Sequence, residues 1–529
     1  MRGVLVLVPA ALFTKCVGLF YKIPLLFIVG VEGMAYFLAA YHVYSLLFVL
    51  SATGLPTALS LQIARALAAA EHRAVRRIFG VALALFLGIG LFGSVTLVLF
   101  ARPICERLLM GEAAAALIAI APSLFLAAFI GAAKGYFQGH NRMGPSALCE
   151  VLEGAGKLGF GLLFALLAKR AGYPTPIVAA YAIFGITAGM ALAALVLLFP
   201  LALSLLRSLR SDGTGEALPK RRRVLRSLLR VALPITVSAS VMSLTALLDT
   251  VLISARLQSS GFSAQVANAM YSAYGNLAIP MYNLVPSLLS PLTLALMPLL
   301  GAFAKQKNWD GVEQTLGTAV RITALVAVPA SLGLSVFSGP LLSMIYHGQS
   351  DAIAVAAPLL SLLALSVLPS ALLTLMSATL QATGHTLLPV LAMGVGAAVK
   401  LFVEYVLLAV PSVGILAAPI STLCCTLAVL LIEWGTLCRT LPFAPLSSGD
   451  LLRPLFCALP GISLGAAAFL WGSVRLGAGG WLMPLCLVLV IMCVLPLSLL
   501  SQAVEKQDLL ALPAGERVCA VLEKCKLLK

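Results

Sequence analysis

Two lysines, Lys15 and Lys22, stand seven residues apart inside the first long apolar run of the chain. Seven residues are about two turns of an α-helix, so both side chains project from one face, about 10 Å apart. No acidic residue lies three or four positions from either lysine, where it would neutralise the charge on the same helix. Because a cation in hydrocarbon is costly without a partner, the pair predicts an anionic ligand or an acidic partner elsewhere in the fold.

The elements that carry these lysines are predicted to be membrane helices. The chain has 529 residues, of which 61% are hydrophobic and only 10% charged, and its mean hydropathy is +1.06. A soluble core of this length has no room for that much apolar surface. We count about fourteen apolar stretches of roughly 20 residues, the length that spans a bilayer. The sequence therefore predicts an all-α polytopic membrane protein.

The orientation follows from the distribution of the 35 lysines and arginines. When loops are allotted to alternate sides of the membrane, most of these cations fall on the side of the N-terminus. By the positive-inside rule, both termini are then cytoplasmic. The opening apolar run follows Arg2 as in a signal peptide, but lysines interrupt it and no small-residue cleavage site closes it, so we interpret it as a retained span.

Several classes of function are disfavoured by the composition and motifs. The net charge of +16 comes from clusters at loop ends, around residues 73–77 and 220–223, where topology and anionic membrane lipids explain it better than nucleic acid does. The eleven cysteines form no CxxC pair, and no histidine stands at ligand spacing, so we expect neither disulfides nor a metal. No catalytic or nucleotide-binding motif is present in the sequence. We therefore predict that the protein is not an enzyme and that it binds no cofactor.

A weak internal repeat divides the chain into two halves. Lys15 and Lys22 align with Asp249 and Arg256, each 234 residues later, and Lys157 aligns with Lys400, 243 residues later. Six spans in each half predict two lobes related by a pseudo-twofold axis along the membrane normal, with the substrate path between them. The predicted segments are an N-lobe (1–205), a basic cytoplasmic linker (206–227), a C-lobe (228–440), two further helices (441–502) and an amphipathic cytoplasmic tail (503–529).

The four aligned charges are the candidate substrate-binding residues. Lys15, Lys22, Asp249 and Arg256 occupy equivalent positions on the first span of each half, so we expect them to face one another across a central cleft. Two interpretations of Lys15 stay open, namely ligand or ion coupling and a structural pair with Asp249. Lys22 and Arg256 lie nearer the outer surface, where snorkelling is an equal alternative.

Two other charge pairs within spans are interpreted as structural. Glu153 and Lys157 stand four residues apart, and so do Lys400 and Glu404. At this spacing each acid and base can pair on one helix face. Because such pairing lowers the cost of inserting a charge without a ligand, we predict these pairs to be intrahelical.

Several segments resemble a known family. The segments are KCVGLFYKIPL (residues 15–25), GYFQGH (residues 135–140), LDT with the following Arg256 and Leu257 (residues 248–257), and LQATG (residues 380–384). They resemble the stage V sporulation protein B group of polysaccharide-biosynthesis proteins. This group belongs to the multidrug, oligosaccharidyl-lipid and polysaccharide exporter superfamily and is similar to the lipid II flippases of peptidoglycan synthesis.

The resemblance implies a function as well as a fold. It implies a V-shaped, two-lobed protein of the bacterial cytoplasmic membrane that flips undecaprenyl-pyrophosphate-linked sugars for cell-wall or spore glycan by alternating access. It places Lys15 and Lys22 at the cavity-facing basic positions of the first span, where arginine is common in the family. Lysine keeps the charge but loses the bidentate fork that suits pyrophosphate. We expect a lipid-linked glycan as substrate and cell-wall synthases as partners, although no segment identifies one.

Two other functions remain as alternatives. A cation-coupled drug exporter of the same superfamily would favour acidic groups in its first lobe, so Lys15 and Lys22 argue against it. A membrane-bound glycan polymerase or ligase normally carries a long outer loop with catalytic polar residues. The longest outer segments here, near residues 102–113 and 339–352, are modest.

Overall fold

The fold is known from a computed structural model that describes residues 2–52, 54–69, 71–209, 219–410, 412–443, 448–476 and 482–500. Helices dominate these residues, and no strand occurs among them. The chain divides into two compact units, with the boundary between Ser272 and Ala273. The predicted tail (503–529) and part of the predicted linker lie outside the described residues.

The described residues of unit 1 form nine α-helices. They are α1 (Arg2–Ala52), α2 (Gly54–Ala68), α3 (His72–Arg107), α4 (Ala114–Ile120), α5 (Pro122–Gly139), α6 (Gly144–Arg170), α7 (Thr175–Leu209), α8 (Arg221–Ser259) and α9 (Ala264–Ser272).

Helix α1 is two helices that meet at Gly30, which we call α1a (residues 2–29) and α1b (residues 31–52). Gly30 has φ 81° and ψ 169°, a combination that residues with a Cβ avoid. The ring centroids of Tyr21 and Phe37 are 6.2 Å apart, whereas sixteen residues of continuous helix would separate them by about 24 Å. The chain therefore folds back at Gly30, and Lys169 donates a hydrogen bond to the Phe27 carbonyl beside the break (3.1 Å).

Helices α6 and α7 pack backbone to backbone in unit 1. A Cβ added to Gly156 would lie 2.5 Å from the Cα of Gly189, and one added to Gly185 would overlap the backbone of Gly161. Small residues at membrane helix interfaces allow this close approach and so maximise van der Waals contact. The four glycines fix the position of α6, which carries several of the charges considered below.

Nine α-helices also occur in the part of unit 2 that the structure describes. They are α10 (Ile279–Lys305), α11 (Trp309–Val336), α12 (Ser338–Ile345), α13 (Ser350–Ala364), α14 (Val367–Ala382), α15 (Leu388–Leu407), α16 (Ala417–Thr440), α17 (Ser448–Leu476) and α18 (Leu482–Leu500). One apolar core joins α10, α11, α14 and α16. A second joins α11 to α17 and α18, the two helices that follow the repeat.

The order of helix pairings in unit 1 recurs in unit 2. In unit 1, α5 packs against α2 and α3, and α6 packs against α7. In unit 2, α14 packs against α10 and α11, and α15 packs against α16. The same pairings in the same chain order are what an internal repeat produces, as the sequence indicates.

The helices have the length and surface of a multi-pass membrane protein. Ten helices in the described residues are long and apolar enough to span a bilayer, or eleven when the bent pair α13 and α14 counts as one span. Large apolar side chains such as Phe92 (74% exposed) and Phe199 (76% exposed) cover the outside of α3 and α7, where lipid replaces water. The all-α membrane class is confirmed, while the count of fourteen spans and the lobe boundaries remain predictions.

Candidate functional site

Two cations on different helices lie close together inside unit 1. Lys22 lies on α1a and Lys157 on α6, and both side chains are half-buried. Their ammonium groups repel each other electrostatically. Among the described side chains, Lys157 makes no ion pair. A pair of cations held together at membrane depth favours binding of an anion that carries more than one charge.

Two tyrosine rings hold Lys157 in place. The Nζ of Lys157 lies 5.3 Å from the ring centroid of Tyr21 and 5.2 Å from that of Tyr41. A ring face attracts a cation without cancelling its charge. These contacts therefore stabilise the ammonium group while leaving its charge available to a ligand. We call Lys22, Lys157, Tyr21 and Tyr41 the lysine–tyrosine cluster.

The fold fixes the position of Tyr21 from two sides. Its hydroxyl donates a hydrogen bond to the carbonyl of Ala182 on α7 at 3.1 Å. On α6, a Cβ at Gly161 would lie 2.5 Å from the same hydroxyl, so only glycine leaves room for the ring. The fully buried Tyr21 thus ties α1a to the α6–α7 pair and places its ring beside Lys157.

The structure pairs Glu153 with a residue that the sequence interpretation missed. Lys134 on α5 lies 3.0 Å from Glu153 and 3.8 Å from Glu150, both on α6, and the Cys149 thiol donates to Glu153 at 3.2 Å. Among the described side chains, no ion pair joins Glu153 to Lys157, contrary to the expected intrahelical pair. The neighbouring helix α5 brings a cation closer to Glu153 than one turn of α6 does.

The other sequence-predicted residues are only partly placed. Lys15 belongs to α1a, and its side chain lies outside the described residues. Asp249 and Arg256 are half-buried on α8, two turns apart on a helix that packs against α1 and α2. On α15, Glu404 is buried and Lys400 half-buried. The binding role of the first three residues and the pairing of the last two stay predictions.

A hydrogen-bonded triad joins α8 to α1b beside Asp249. The Nδ1 of His42 on α1b lies 2.8 Å from the Thr250 hydroxyl on α8 and 3.1 Å from the Tyr271 hydroxyl on α9, and the two hydroxyls are 2.8 Å apart. Helix α8 also approaches α2 closely, because a Cβ at Gly54 would collide with Thr236 and the Ala232 carbonyl. These contacts explain why the first span of the second half packs within unit 1.

Sequence reasoning also missed a buried acid in unit 2. Glu433 on α16 is 1% exposed, and its two carboxylate oxygens lie 2.7 and 3.0 Å from the Ser377 hydroxyl on α14. A signal was present, because Glu433 is a single acid inside an apolar run and Lys134 is a single base inside another. An intramembrane charge is a functional or structural candidate wherever it stands.

Comparison with known proteins gives the family. The sequence profile described as "Lipid II flippase MurJ" matches residues 111–490, which is more than half of the chain. The chain belongs to the MurJ family of lipid II flippases. Its members are transporters rather than enzymes, so this flippase is a multi-pass membrane protein that acts on a lipid-linked glycan.

Three relatives of this flippase illustrate its place in the family. Stage V sporulation protein B of Bacillus subtilis (strain 168) is 25% identical over 448 residues, or 84% of each chain. Lipid II flippase MurJ of the same organism is 24% identical over 417 residues, or 76% of each chain. A solved structure of lipid II flippase MurJ in an inward closed conformation is 16% identical, covers 93% of this chain and 98% of that chain, and superposes with a TM-score of 0.69. The last likeness shows a shared fold.

Proposed function

We propose that this protein moves a polyprenyl-pyrophosphate-linked oligosaccharide across the cytoplasmic membrane by alternating access, with the lysine–tyrosine cluster as part of the path of the pyrophosphate. The observation that carries the proposal is the placement of Lys157 over the ring of Tyr21, the residue next to Lys22 in the chain, in a member of a flippase family. The substrate is a peptidoglycan precursor such as lipid II or a related cell-wall or spore glycan.

The physical argument concerns the charge of the headgroup. A pyrophosphate carries negative charge that is strongly disfavoured at membrane depth, because transfer from water to a low-dielectric medium removes its hydration. Two ammonium groups supply compensating charge and up to six N–H donors. Since the rings of Tyr21 and Tyr41 hold Lys157 without neutralising it, the positive charge is present before the substrate arrives.

The remaining predicted site residues have roles in the same proposal. Lys15 extends the line of cations along α1a by two turns. Asp249 and Arg256 lie on α8, which contacts α1, and they supply charge that changes partners as the path opens and closes. Because the chain carries no nucleotide-binding motif, the membrane potential or a cation gradient drives the cycle. Both termini lie in the cytoplasm, and partners include the synthases that make and use the glycan.

The test is translocation of fluorescent lipid II in proteoliposomes with an imposed membrane potential. We expect the wild-type protein to transfer lipid II between leaflets, and we expect the variant Lys15→Ala/Lys22→Ala to lose at least about tenfold in rate, since each charged hydrogen bond is worth about 1.5–3 kcal/mol. A second arm uses another polyprenyl-pyrophosphate glycan. Transport of neither substrate by folded protein, together with export of cationic drugs, would favour the drug-exporter alternative.

A further inference from the structure

A basic groove lies between the N-terminal ends of α3 and α8 in unit 1. Its cavity of about 630 Å³ is rimmed by Arg76 and Arg77 of α3 and by Arg221 and Arg222 of α8. Below the rim its wall is apolar, consisting of Gly80, Val81, Ala84, Leu85 and Leu225. Charge at one end and hydrocarbon along the rest match an amphiphile standing upright in the membrane.

The position of these cations is electrostatically unfavourable for the helices themselves. The N-terminus of a helix carries partial positive charge, so a cation in the first turn destabilises the helix. Helix α8 nevertheless begins with three consecutive arginines, residues 221–223, directly after Lys220. Arg76 and Arg77 lie within the first two turns of α3. The positive-inside rule explains which side these cations occupy, but it does not require two clusters to converge on one groove.

The buried Nε of Arg77 indicates that a ligand binds in the groove. No hydrogen-bond partner for this atom occurs in the part of the chain that the structure describes. A buried guanidinium N–H without a partner costs free energy, which an anionic oxygen would recover. The first residues of α8, Arg221 and Arg222, add backbone N–H groups that favour the same anion.

We propose that this groove binds an anionic phospholipid, with the phosphate between the arginines of α3 and α8 and an acyl chain along Gly80 and Ala84. Because α8 is the first span of the second half of the repeat, the lipid would hold α8 against α3 and stabilise the packing of α8 within unit 1. This site is separate from the lysine–tyrosine cluster, so it does not depend on the proposed transport function.

The first test measures lipid-dependent stability of the purified full-length protein in detergent micelles. We expect phosphatidylglycerol to raise the Tm of the wild-type protein more than phosphatidylcholine does. The variant Arg76→Gln/Arg221→Gln/Arg222→Gln should bind phosphatidylglycerol at least about tenfold more weakly, because each cation near an anionic lipid contributes about 1 kcal/mol. The control Arg65→Gln/Lys305→Gln/Arg439→Gln removes as many cations from other helix ends and should keep the shift. An equal shift in wild type, variant and control would overturn the proposal.

A second variant tests the apolar wall while leaving every charge in place. A Cβ at Gly80, which lines the groove, meets no atom within 4 Å, so Gly80→Leu directs its side chain into open space and improves helix propensity. We expect this variant to fold at least as well as wild type and to lose most of the phosphatidylglycerol-specific shift. Inorganic phosphate alone should stabilise neither protein. If phosphate reproduced the wild-type shift, or if Gly80→Leu kept it, the ligand would not be a lipid in this groove.

Discussion

The ammonium nitrogen of Lys157 lies 5.2 Å from the ring centroid of Tyr41. This contact joins α6 to α1b, while the contact with Tyr21 joins the same lysine to α1a. One cation thus bridges both arms of the hairpin that folds back at Gly30. Because Lys157 and Tyr41 are half-buried, each cation–π contact is worth between about 0.5 and 2 kcal/mol, so the arrangement stabilises unit 1 and positions the charge at once.

The glycine contact between α6 and α7 predicts a sharp difference between two substitutions on one helix. Gly156→Ala places a Cβ against the backbone of Gly189, which no side-chain rotation relieves, so we expect a loss of about 1–3 kcal/mol in unfolding free energy. Gly159→Ala meets nothing within 4 Å and should be neutral or stabilising. Thermal unfolding of both variants in detergent measures the difference. Equal Tm values would show that α6 and α7 are not in backbone contact.

The ion pair between Lys134 and Glu153 predicts energetic coupling between α5 and α6. In a double-mutant cycle of Lys134→Met and Glu153→Gln, we expect a coupling free energy of about 1 kcal/mol, the usual size for polar contacts between membrane helices. Chemical unfolding of the four proteins in detergent provides the measurement. The matched control pairs Lys134→Met with Glu112→Gln. Glu112 stands about six helical turns before Lys134 in the chain, too far for the two side chains to form an ion pair. Coupling no larger than in the control would contradict the ion pair.

The hydrogen bond between Ser377 and Glu433 predicts opposite effects of two conservative changes. Ser377→Ala removes the hydroxyl that faces a buried carboxylate, so we expect a loss of about 1–3 kcal/mol in unfolding free energy. Glu433→Gln keeps a hydrogen-bond acceptor and removes the need to bury a charge, and should raise the Tm. Ser473→Ala, at a half-buried serine that donates to the Leu470 carbonyl of its own helix, serves as the control. A destabilised Glu433→Gln variant would indicate that the negative charge itself has a partner.

The class of fold was predictable because it depends on hydropathy summed over long segments, and the repeat was predictable because charges recur at a nearly constant lag, as Lys15 and Asp249 do. A bilayer requires about 20 apolar residues per span whatever their neighbours are. The helices that contain Lys134 and Glu433 can therefore be predicted without a structure. The same applies to Lys22, since a cation in an apolar run is conspicuous. The sequence groups Lys22 with Lys15, Asp249 and Arg256, and that grouping stays a prediction; the proximity of Lys157 to Lys22 was not foreseen.

The partners of the charges were not predictable from spacing alone. The four-residue rule pairs Glu153 with Lys157 because it considers one helix at a time. In the fold, α5 brings Lys134 to Glu153, and the fold-back at Gly30 brings two tyrosine rings to Lys157. Both contacts depend on which helices are neighbours, and a sequence read one helix at a time does not contain that information.

Because the backbone at residue 30 has a conformation that favours glycine, we predict that this position tolerates only glycine. Gly30→Ala forces a Cβ into a backbone region that glycine alone adopts readily, so we expect a loss of about 1–3 kcal/mol in unfolding free energy. Gly18→Ala, on α1a at a position where a Cβ meets nothing within 4 Å, is the matched control. Thermal unfolding of both variants tests whether the chain folds back at Gly30. An unchanged Tm for Gly30→Ala would argue against the fold-back.

The most direct test of the account is the rate of lipid II translocation by Lys157 variants in proteoliposomes. We expect Lys157→Met to lose at least about tenfold in rate, since one charged contact with the headgroup is worth about 1.5–3 kcal/mol, and Lys157→Arg to retain most of the wild-type rate. Lys305→Met, at an exposed lysine, should transport normally. Wild-type translocation by a correctly folded Lys157→Met protein would contradict the claim that the lysine–tyrosine cluster lies on the path of the pyrophosphate.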